Sequence, residues 1–405
     1  MAIEIRPLGA DELPAFVGAM SVPFGFDAKP EWIERFKNRF ELPRLRAAVD
    51  GGKIVGTLGT LSCQLTVPGG SIPMAGTSAV SVAPTHRRQG ILRAFMADHF
   101  AELHRNGEAV AALWASESSI YGRFGYGPAS KLARVKLERA HARMAQPVAL
   151  PGAMQLLNRE EALAAFPEVY DKVVANRPGM FHRSPRWWEH RVLSDPEEMR
   201  DGATAQRRVL HVRDAAPVGY VIYRTRQNRE RQMNEVIVVE LLGVDAEAEK
   251  SLWQHIFGID LITAIDYWNQ PVDSPLVWWL VDSRRLERRI VDGLWLRPID
   301  VTKALVARTY SHPGSLLFKV TDELCPWNEG TYELEVGEDS HAQCRRVASA
   351  AQVELSSYGL GALYLGGHRF QDLARAGIVK GSADALRRAD VMFASDRVPW
   401  CQEIF

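Results

Sequence analysis

The stretch Val80-Ser81-Val82-Ala83-Pro84-Thr85-His86-Arg87-Arg88-Gln89-Gly90-Ile91-Leu92-Arg93 constrains this chain more than any other. Its alternating valines read as a strand, Pro84 ends that strand, and a basic loop closing on Gly90 opens an amphipathic helix. Ile91, Phe95, Phe100 and Leu103 fall at nearly helical spacing, so one face of the helix is expected to bury against a sheet. The first turn of such a helix has unpaired N–H groups and the positive end of the dipole. With Arg87 and Arg88 beside it, and with Gly90 letting backbone approach a ligand, it forms a seat for a pyrophosphate. An ordinary strand-turn-helix with two solvated arginines is the other reading of these residues.

At 405 residues the chain exceeds one average domain, so two or three are expected, and 46% hydrophobic residues suffice for real cores. Lysine plus arginine equals aspartate plus glutamate at 49 each, so no global charge draws the protein to nucleic acid or anionic lipid. A polar ligand must be held by local fields. Met1-Ala2-Ile3-Glu4-Ile5-Arg6-Pro7 lacks a basic region followed by an apolar one, and no apolar run reaches spanning length; a cytoplasmic protein is expected. Cys63, Cys325, Cys344 and Cys401 show no paired C-x-x-C spacing, so no zinc site, other metal or disulfide framework is expected.

The pattern V-x-V-x-P-x-x-R-R-x-G-I-L resembles the acetyl-CoA signature of the GCN5-related N-acetyltransferases (GNAT), with Arg87 to Gly90 in its first half and Leu92 where glycine or alanine is usual. Upstream, Asp11-Glu12 starts a helix with Leu13, Phe16, Val17 and Met20 on its apolar face. The loop from Ser21 to Pro30 holds Phe24, Phe26 and Asp27, and Trp32, Phe36 and Phe40 follow at helical spacing. Phe36 and Phe40 read as core, whereas Phe24, Phe26 and Trp32 near Asp27 suit an organic cation. Asp50-Gly51-Gly52 signals a hairpin between strands Arg46 to Val49 and Lys53 to Leu61, with further strands from Cys63 to Val67 and Ala75 to Val82. Ala109 to Ala115 reads as a buried strand that splays from Val80 to Val82. In that gap free strand N–H and C=O groups would receive a pantetheine arm much as they would an added strand.

Ser116-Glu117-Ser118-Ser119-Ile120-Tyr121-Gly122-Arg123-Phe124-Gly125-Tyr126-Gly127-Pro128 comes next. It is similar to the Y-x-x-x-G-F/Y segment of GNAT enzymes, whose first tyrosine, here Tyr121, protonates the departing thiolate. A phenol with a pKa of about 10 stays protonated at neutral pH and suits that work. Without the resemblance, structural packing is the commoner fate of a tyrosine beside glycine.

Pro147 to Gly152 marks a boundary, which sets a first domain at 1–150. From 151 to 296 the order of a helix (Arg159 to Arg177), strands (Arg207 to Arg213, Val218 to Thr225, Asn234 to Val244) and a helix through Leu252, Trp253, Ile256 and Phe257 resembles the first domain. At the equivalent turn, however, Val244-Asp245-Ala246-Glu247-Ala248-Glu249 replaces the basic glycine loop. Three carboxylates suit a helix start but repel a pyrophosphate, so this second GNAT-like fold reads as degenerate. Pro275 to Asp282 and Asp292 to Pro298 are expected as apolar strands. From 297 to 405 a helix, strands Ser315 to Val320 and Gly330 to Val336, and helices Arg369 to Ala376 and Ser382 to Ala389 resemble a sterol-carrier-like domain. The chain closes on Trp400-Cys401-Gln402-Glu403-Ile404-Phe405, an apolar tail able to dock into a groove.

Together these segments are similar over the full length to the Eis (enhanced intracellular survival) family of actinobacterial acetyltransferases. That resemblance implies a mixed α/β and α+β chain: tandem GNAT-like folds, the first active and the second degenerate, then a sterol-carrier-protein-like domain. It implies a homo-hexamer and transfer of acetyl from acetyl-CoA to amines of aminoglycosides, or to lysines in some members. By carry-over Val80, Ser81, Val82, Arg88, Gln89, Gly90, Ile91, Leu92, Arg93, Ser116 and Glu117 contact coenzyme A, Tyr121 is the general acid and the Phe405 carboxylate the general base. A terminal carboxylate, with an ordinary pKa of about 3.5, is a weak base for an ammonium unless burial raises it. Glu403 and Asp27 add negative field for a polycationic acceptor. Protein lysines as acceptors, and a lipid-binding or assembly protein built on GNAT scaffolds, are the competing readings; an anion seat followed by a placed phenol argues against the scaffold.

Overall fold

In the computed structural model, which describes residues 3–147, 151–228 and 233–405, the segment Lys53–Val67 is one strand of 15 residues. The sequence suggested a break at Ser62, but both faces of this strand find apolar cover over most of its length, and hydrogen bonding runs through the serine as Ser62↔Ala75. Residues 148–150 of the boundary segment, and the first two residues of the N-terminus, lie outside the described residues.

The first sheet is built from β1 (Glu4–Pro7), β2 (Leu45–Asp50), β3 (Lys53–Val67), β4 (Gly70–Val82), β5 (Val110–Trp114) and β6 (Gly127–Pro128). Pro68-Gly69, with Gly69 at φ 81°, closes the hairpin between β3 and β4. β7 (Lys131–Glu138) belongs to a second sheet with β8 (Ala153–Leu157), β9 (Arg207–Arg213), β10 (Ala216–Asn228), β11 (Met233–Gly243), β12 (Ile262–Pro271) and β13 (Glu287–Asp292). The chain then returns: β14 (Leu294–Pro298) pairs with β5 and β6, giving the first sheet the order β1-β2-β3-β4-β5-β14-β6. Two compact units result, one of Met1–Ser130, Pro178–Phe181 and Gly293–Phe405, the other of Lys131–Arg177 and His182–Asp292.

In the first unit helix α1 (Leu13–Phe24) buries Phe16, Val17 and Met20, and α2 (Pro30–Arg39) buries Phe36. Helix α3 (Ile91–Arg105) buries Ile91, Phe95, Met96, Phe100 and Leu103 with Ala48, Leu58 and Ala75 of the sheet. At about 1.5–3 kcal/mol for each large apolar side chain, that stripe anchors the loop ahead of it. The C-terminal part of the unit is a sheet of β15 (Gly314–Thr321), β16 (Gly330–Val336), β17 (Ala342–Val347), β18 (Val353–Ser356) and β19 (Val379–Gly381). Its buried Arg308 gives hydrogen bonds to the carbonyls of Tyr364 and Phe393, where two helices end, so its positive charge sits at negative helix termini.

The second unit packs the helix Ala246–Phe257 through Leu252, Trp253, Ile256 and Phe257 onto Val221, Val236 and Val238. The expectation of a strand from Pro275 to Asp282 is corrected. Leu276–Trp279 is a helical turn, with the Ser274 hydroxyl accepting from the Leu276 N–H at 3.4 Å, and Trp278 is exposed. A serine-proline start outweighs an apolar run too short to define its own period. Among the described residues no helix is long and apolar enough to cross a membrane.

Candidate active site

β4 pairs in parallel with β5 only from Met74↔Val110 to Gly76↔Ala112. Beyond that a bulge interrupts its antiparallel pairing with β3, between Thr57↔Ser81 and Gly59↔Ser78, and Ala79 within it sits at φ 51°. The bulge turns β4 away from β5, and the main chain from Val80 to Val82 is left facing a cleft. This is the splay that the sequence suggested.

Past β4 the Ala83 N–H donates to the Val55 carbonyl at 2.8 Å, and Pro84–His86 forms one tight turn. His86 braces it, hydrogen-bonded to Thr85 at 2.8 Å and to Asp50 at 3.3 Å. Arg88 and Gly90 both adopt positive φ, 64° and 84°. Such a conformation costs an ordinary side chain about 1–2 kcal/mol, and it turns the loop back on the start of α3. Among the described residues no side chain caps α3 at Gly90, and Gly90, Ile91, Leu92 and Arg93 of this helix start line the cleft together with exposed Arg87 and Arg88.

The cleft has a volume of about 800 Å³, within the usual range for ligand pockets. Every residue that the sequence assigned to coenzyme A lines it except Gln89, whose side chain reaches back to the Thr85 carbonyl at 3.5 Å. Tyr121, Ile120, Arg123 and Phe124 line it as well. Tyr121 ends a single helical turn, Ser118–Tyr121, and is buried, with its hydroxyl hydrogen-bonded to Ser116; burial, opposed by that bond, raises its pKa above the usual phenol value. It therefore stays protonated at neutral pH.

Tyr126 stands edge-on to Tyr121, with ring centroids 6.1 Å apart. Its hydroxyl lies 2.9 Å from Thr77 Oγ1, which in turn lies 3.0 Å from His99 Nε2. Burial drives the Tyr126 phenol up and, with Arg44 and Arg46 adding to it, lowers His99 to about 3, so this chain of three is neutral. His99 went unread in the sequence although its position, four residues after Phe95 on the apolar stripe, marks it as a buried polar group.

The C-terminal tail reaches the same strands. The Trp400 N–H donates to the Pro178 carbonyl at 2.9 Å, and the Phe405 ring stands edge-on to Phe181 with centroids 5.6 Å apart. A Cβ on Gly76 would meet the Phe405 ring at 3.1 Å, so this ring lies on the last residue that β4 pairs with β5. Glu403 is buried and Ile404 is partly exposed. Of the residues assigned to the acceptor only Phe24 lines the cleft. Phe26 and Trp32 pack on each other at 5.2 Å, Arg35 lies over Trp32 at 5.3 Å, and Asp27 is exposed.

Residues 4–129 match a family of acetyltransferase (GNAT) domains, 179–298 a second such family, and 301–402 a sterol carrier protein domain. The chain is 36% identical over 413 residues to an uncharacterised N-acetyltransferase of Streptomyces coelicolor, covering 99% of each. It is 37% identical over 357 residues to the N-acetyltransferase Eis of Mycobacterium tuberculosis, covering 85% of this chain and 84% of that one. The crystal structure of Eis1 from Mycobacterium abscessus superposes with a TM-score of 0.87 at 30% identity, over 99% of this chain and 100% of that one.

Proposed function

Since this chain belongs to the Eis family of GNAT N-acetyltransferases, we propose that it transfers acetyl from acetyl-CoA to primary amines of polycationic small molecules such as aminoglycosides, directly in a ternary complex. One observation carries the reading: a single cleft unites an uncapped helix start, two arginines, a free strand edge and a buried phenol. Acetyl-CoA supplies the activated acyl group. Arg87, Arg88 and the N–H groups that follow Gly90 hold its pyrophosphate. The main chain of Val80 to Val82 aligns the pantetheine arm, with Ser116 and Glu117 at the far wall. Tyr121 gives its proton to the coenzyme sulfur as the carbon–sulfur bond breaks, and recovers one from solvent.

On the acceptor side the reading rests on Phe24, which lines the cleft, with exposed Asp27 and the Phe26 and Trp32 pair following it in the chain and buried Glu403 adding negative charge for a cationic amine. The carboxylate that the family resemblance assigns to Phe405 takes the proton that the attacking amine loses. Hexamer assembly belongs to the same reading.

A thiol-release assay with acetyl-CoA and tobramycin, spermidine or a lysine peptide tests it. Turnover is expected with the polyamines and not with the peptide, and Tyr121→Phe is expected to lower kcat about 100-fold with the acetyl-CoA Kd unchanged. Absence of heat when acetyl-CoA is titrated into the protein would overturn the assignment.

A further inference from the structure

Arg297 is wholly buried within the first unit, on the strand that returns to its sheet after β13. Its Nη2 donates to both Asp322 oxygens at 2.7 and 2.9 Å and to Cys325 Sγ at 2.8 Å, and its Nη1 donates to Ser357 Oγ at 3.0 Å. Its guanidinium lies over the Phe100 ring at 4.3 Å, and its Nε has no acceptor among the described residues. Replacement of a buried ion pair by apolar side chains is often neutral or stabilising, so stability alone is a weak reason for this one.

The guanidinium presses on a single turn of main chain. A Cβ on Gly125 would collide with Arg297 Nη1 and with Ser357 Oγ, and Gly125, at φ 82°, ends the turn that begins at Tyr121. The Gly125 N–H donates to the Gly122 carbonyl at 3.0 Å and the Tyr126 N–H to that of Tyr121 at 3.3 Å. From the same side the helix Ser357–Leu363 packs so closely that a Cβ on Gly127 would strike the Tyr358 carbonyl, and one on Gly122 would meet the Tyr358 ring at 3.3 Å. The turn carrying Tyr121 is thus seated on side chains of the C-terminal domain, with Arg297 as the shared piece.

We propose that Arg297, held by Asp322 and Ser357, is a positioning residue for acetyl transfer: through it the sterol-carrier-like domain fixes the turn that aims the Tyr121 hydroxyl into the cleft. The proposal rests on Tyr121 as the acid. It assigns the C-terminal domain a part in turnover without any ligand of its own.

The test is Arg297→Met combined with Asp322→Leu, which leaves no unpaired charge. The folded double variant is expected to keep its acetyl-CoA Kd and to lose kcat by about tenfold or more, since small misplacements of a reacting group carry costs of that order. In a Tyr121→Phe background the same pair is expected to change kcat less than about twofold, because the group it positions is already absent. A wild-type kcat in the folded pair, or an equal loss in both backgrounds, would overturn the proposal while leaving the acid in place. A Tyr121→Phe variant that turns over normally would remove the acid assignment and this proposal together. Should the pair fail to fold, Ser357→Ala reads the same split: kcat lowered with Kd unchanged supports the proposal, and unchanged kcat overturns it.

Discussion

Each GNAT unit has a bulged strand that parts from a parallel neighbour, and the two units differ in what occupies the parting. In the first, β4 bulges at Ala79 and Val80 after leaving β5 at Gly76, and a cleft opens beyond. In the second, β11 bulges at Val239, between Ile222↔Glu240 and Tyr223↔Val238, and its last pair with β12 is Val238↔Tyr267. Just past that bulge stands Glu240, where the first unit has Ser81. Arg183 grips both of its oxygens at 2.8 and 2.6 Å, Tyr220 donates to it, and the Tyr267 hydroxyl hydrogen-bonds the main chain of Leu241. The Arg183 guanidinium lies 3.9 Å from the Tyr170 ring and 4.5 Å from that of Trp188. Beside the second bulge, then, an ion pair and a phenol are buried among aromatic rings, whereas residues beside the first line a cleft.

The turns differ as sharply. Eight residues, 83–90, separate β4 from α3, but only two, Val244 and Asp245, separate β11 from the helix Ala246–Phe257. Asp245 caps that helix by accepting from the Ala248 N–H at 2.8 Å, and a Cβ on Gly243 would collide with the Glu249 N–H, so strand end and helix start touch. The lesson is that one topology accommodates a long loop before an uncapped helix start in one unit and a short loop before a capped one in the other, with no change of fold.

The largest effect that can break this comparison is expected from Arg183→Met. It strands the Glu240 carboxylate in the second core, and a loss of about 3–5 kcal/mol is expected from the urea midpoint. Arg183→Met with Glu240→Leu should recover most of it, and both variants should bind acetyl-CoA with unchanged Kd. Calorimetry that finds more than one acetyl-CoA per chain in either variant would mean that the plug alone, and not the short acidic turn, closed the second site.

Local pattern made the first parting legible. A proline after an alternating run, a basic glycine loop and an apolar stripe each act over a few residues, and residues 80–93 and 116–128 carried those signals intact. The acidic turn of the second unit was equally local. Pairing choices between distant segments were not legible. Lys131–Glu138 alternates as any half-buried strand does, and nothing in its eight residues says that it joins β12 and β13 while Leu294–Pro298 joins β5. Arg297 was hidden for the same reason, since its partners Asp322, Cys325 and Ser357 are brought to it by that exchange. The segment from 337 to 368 has no strong period, and its two strands and glycine-rich helix take shape only against their neighbours.

A smaller change sharpens the contrast between the two turns. Arg87→Glu with Arg88→Glu should raise the acetyl-CoA Kd about 100-fold and flatten its salt dependence, as expected for loss of two charge-assisted contacts of about 1.5 kcal/mol each. Glu247→Gln with Glu249→Gln should leave Kd within about twofold, because the site those carboxylates would repel a phosphate from is already closed by packing. A matched change in both would mean that the two turns share one ligand, and the distinction drawn between them would fall.

The least effect separates the two buried polar clusters by pH. The cluster beside the first bulge, Thr77, Tyr126 and His99, holds an imidazole; the cluster beside the second, Arg183, Glu240 and Tyr220, holds none. His99 is lowered to about 3 by burial first and by Arg44 and Arg46 next, against about 6.5 when exposed. Between those two values the unfolded chain holds a proton that the folded chain lacks. Stability from this residue is therefore intact above about pH 6.5 and falls as pH drops toward 3, by about 1.4 kcal/mol per unit. His99→Gln keeps a polar partner for Thr77 and removes the titration. Urea midpoints at about pH 7 and about pH 5 should fall less in that variant than in the parent, by about 2 kcal/mol over the interval. Parallel losses in the two proteins would place the acid sensitivity elsewhere and leave the first cluster no more proton-linked than the second.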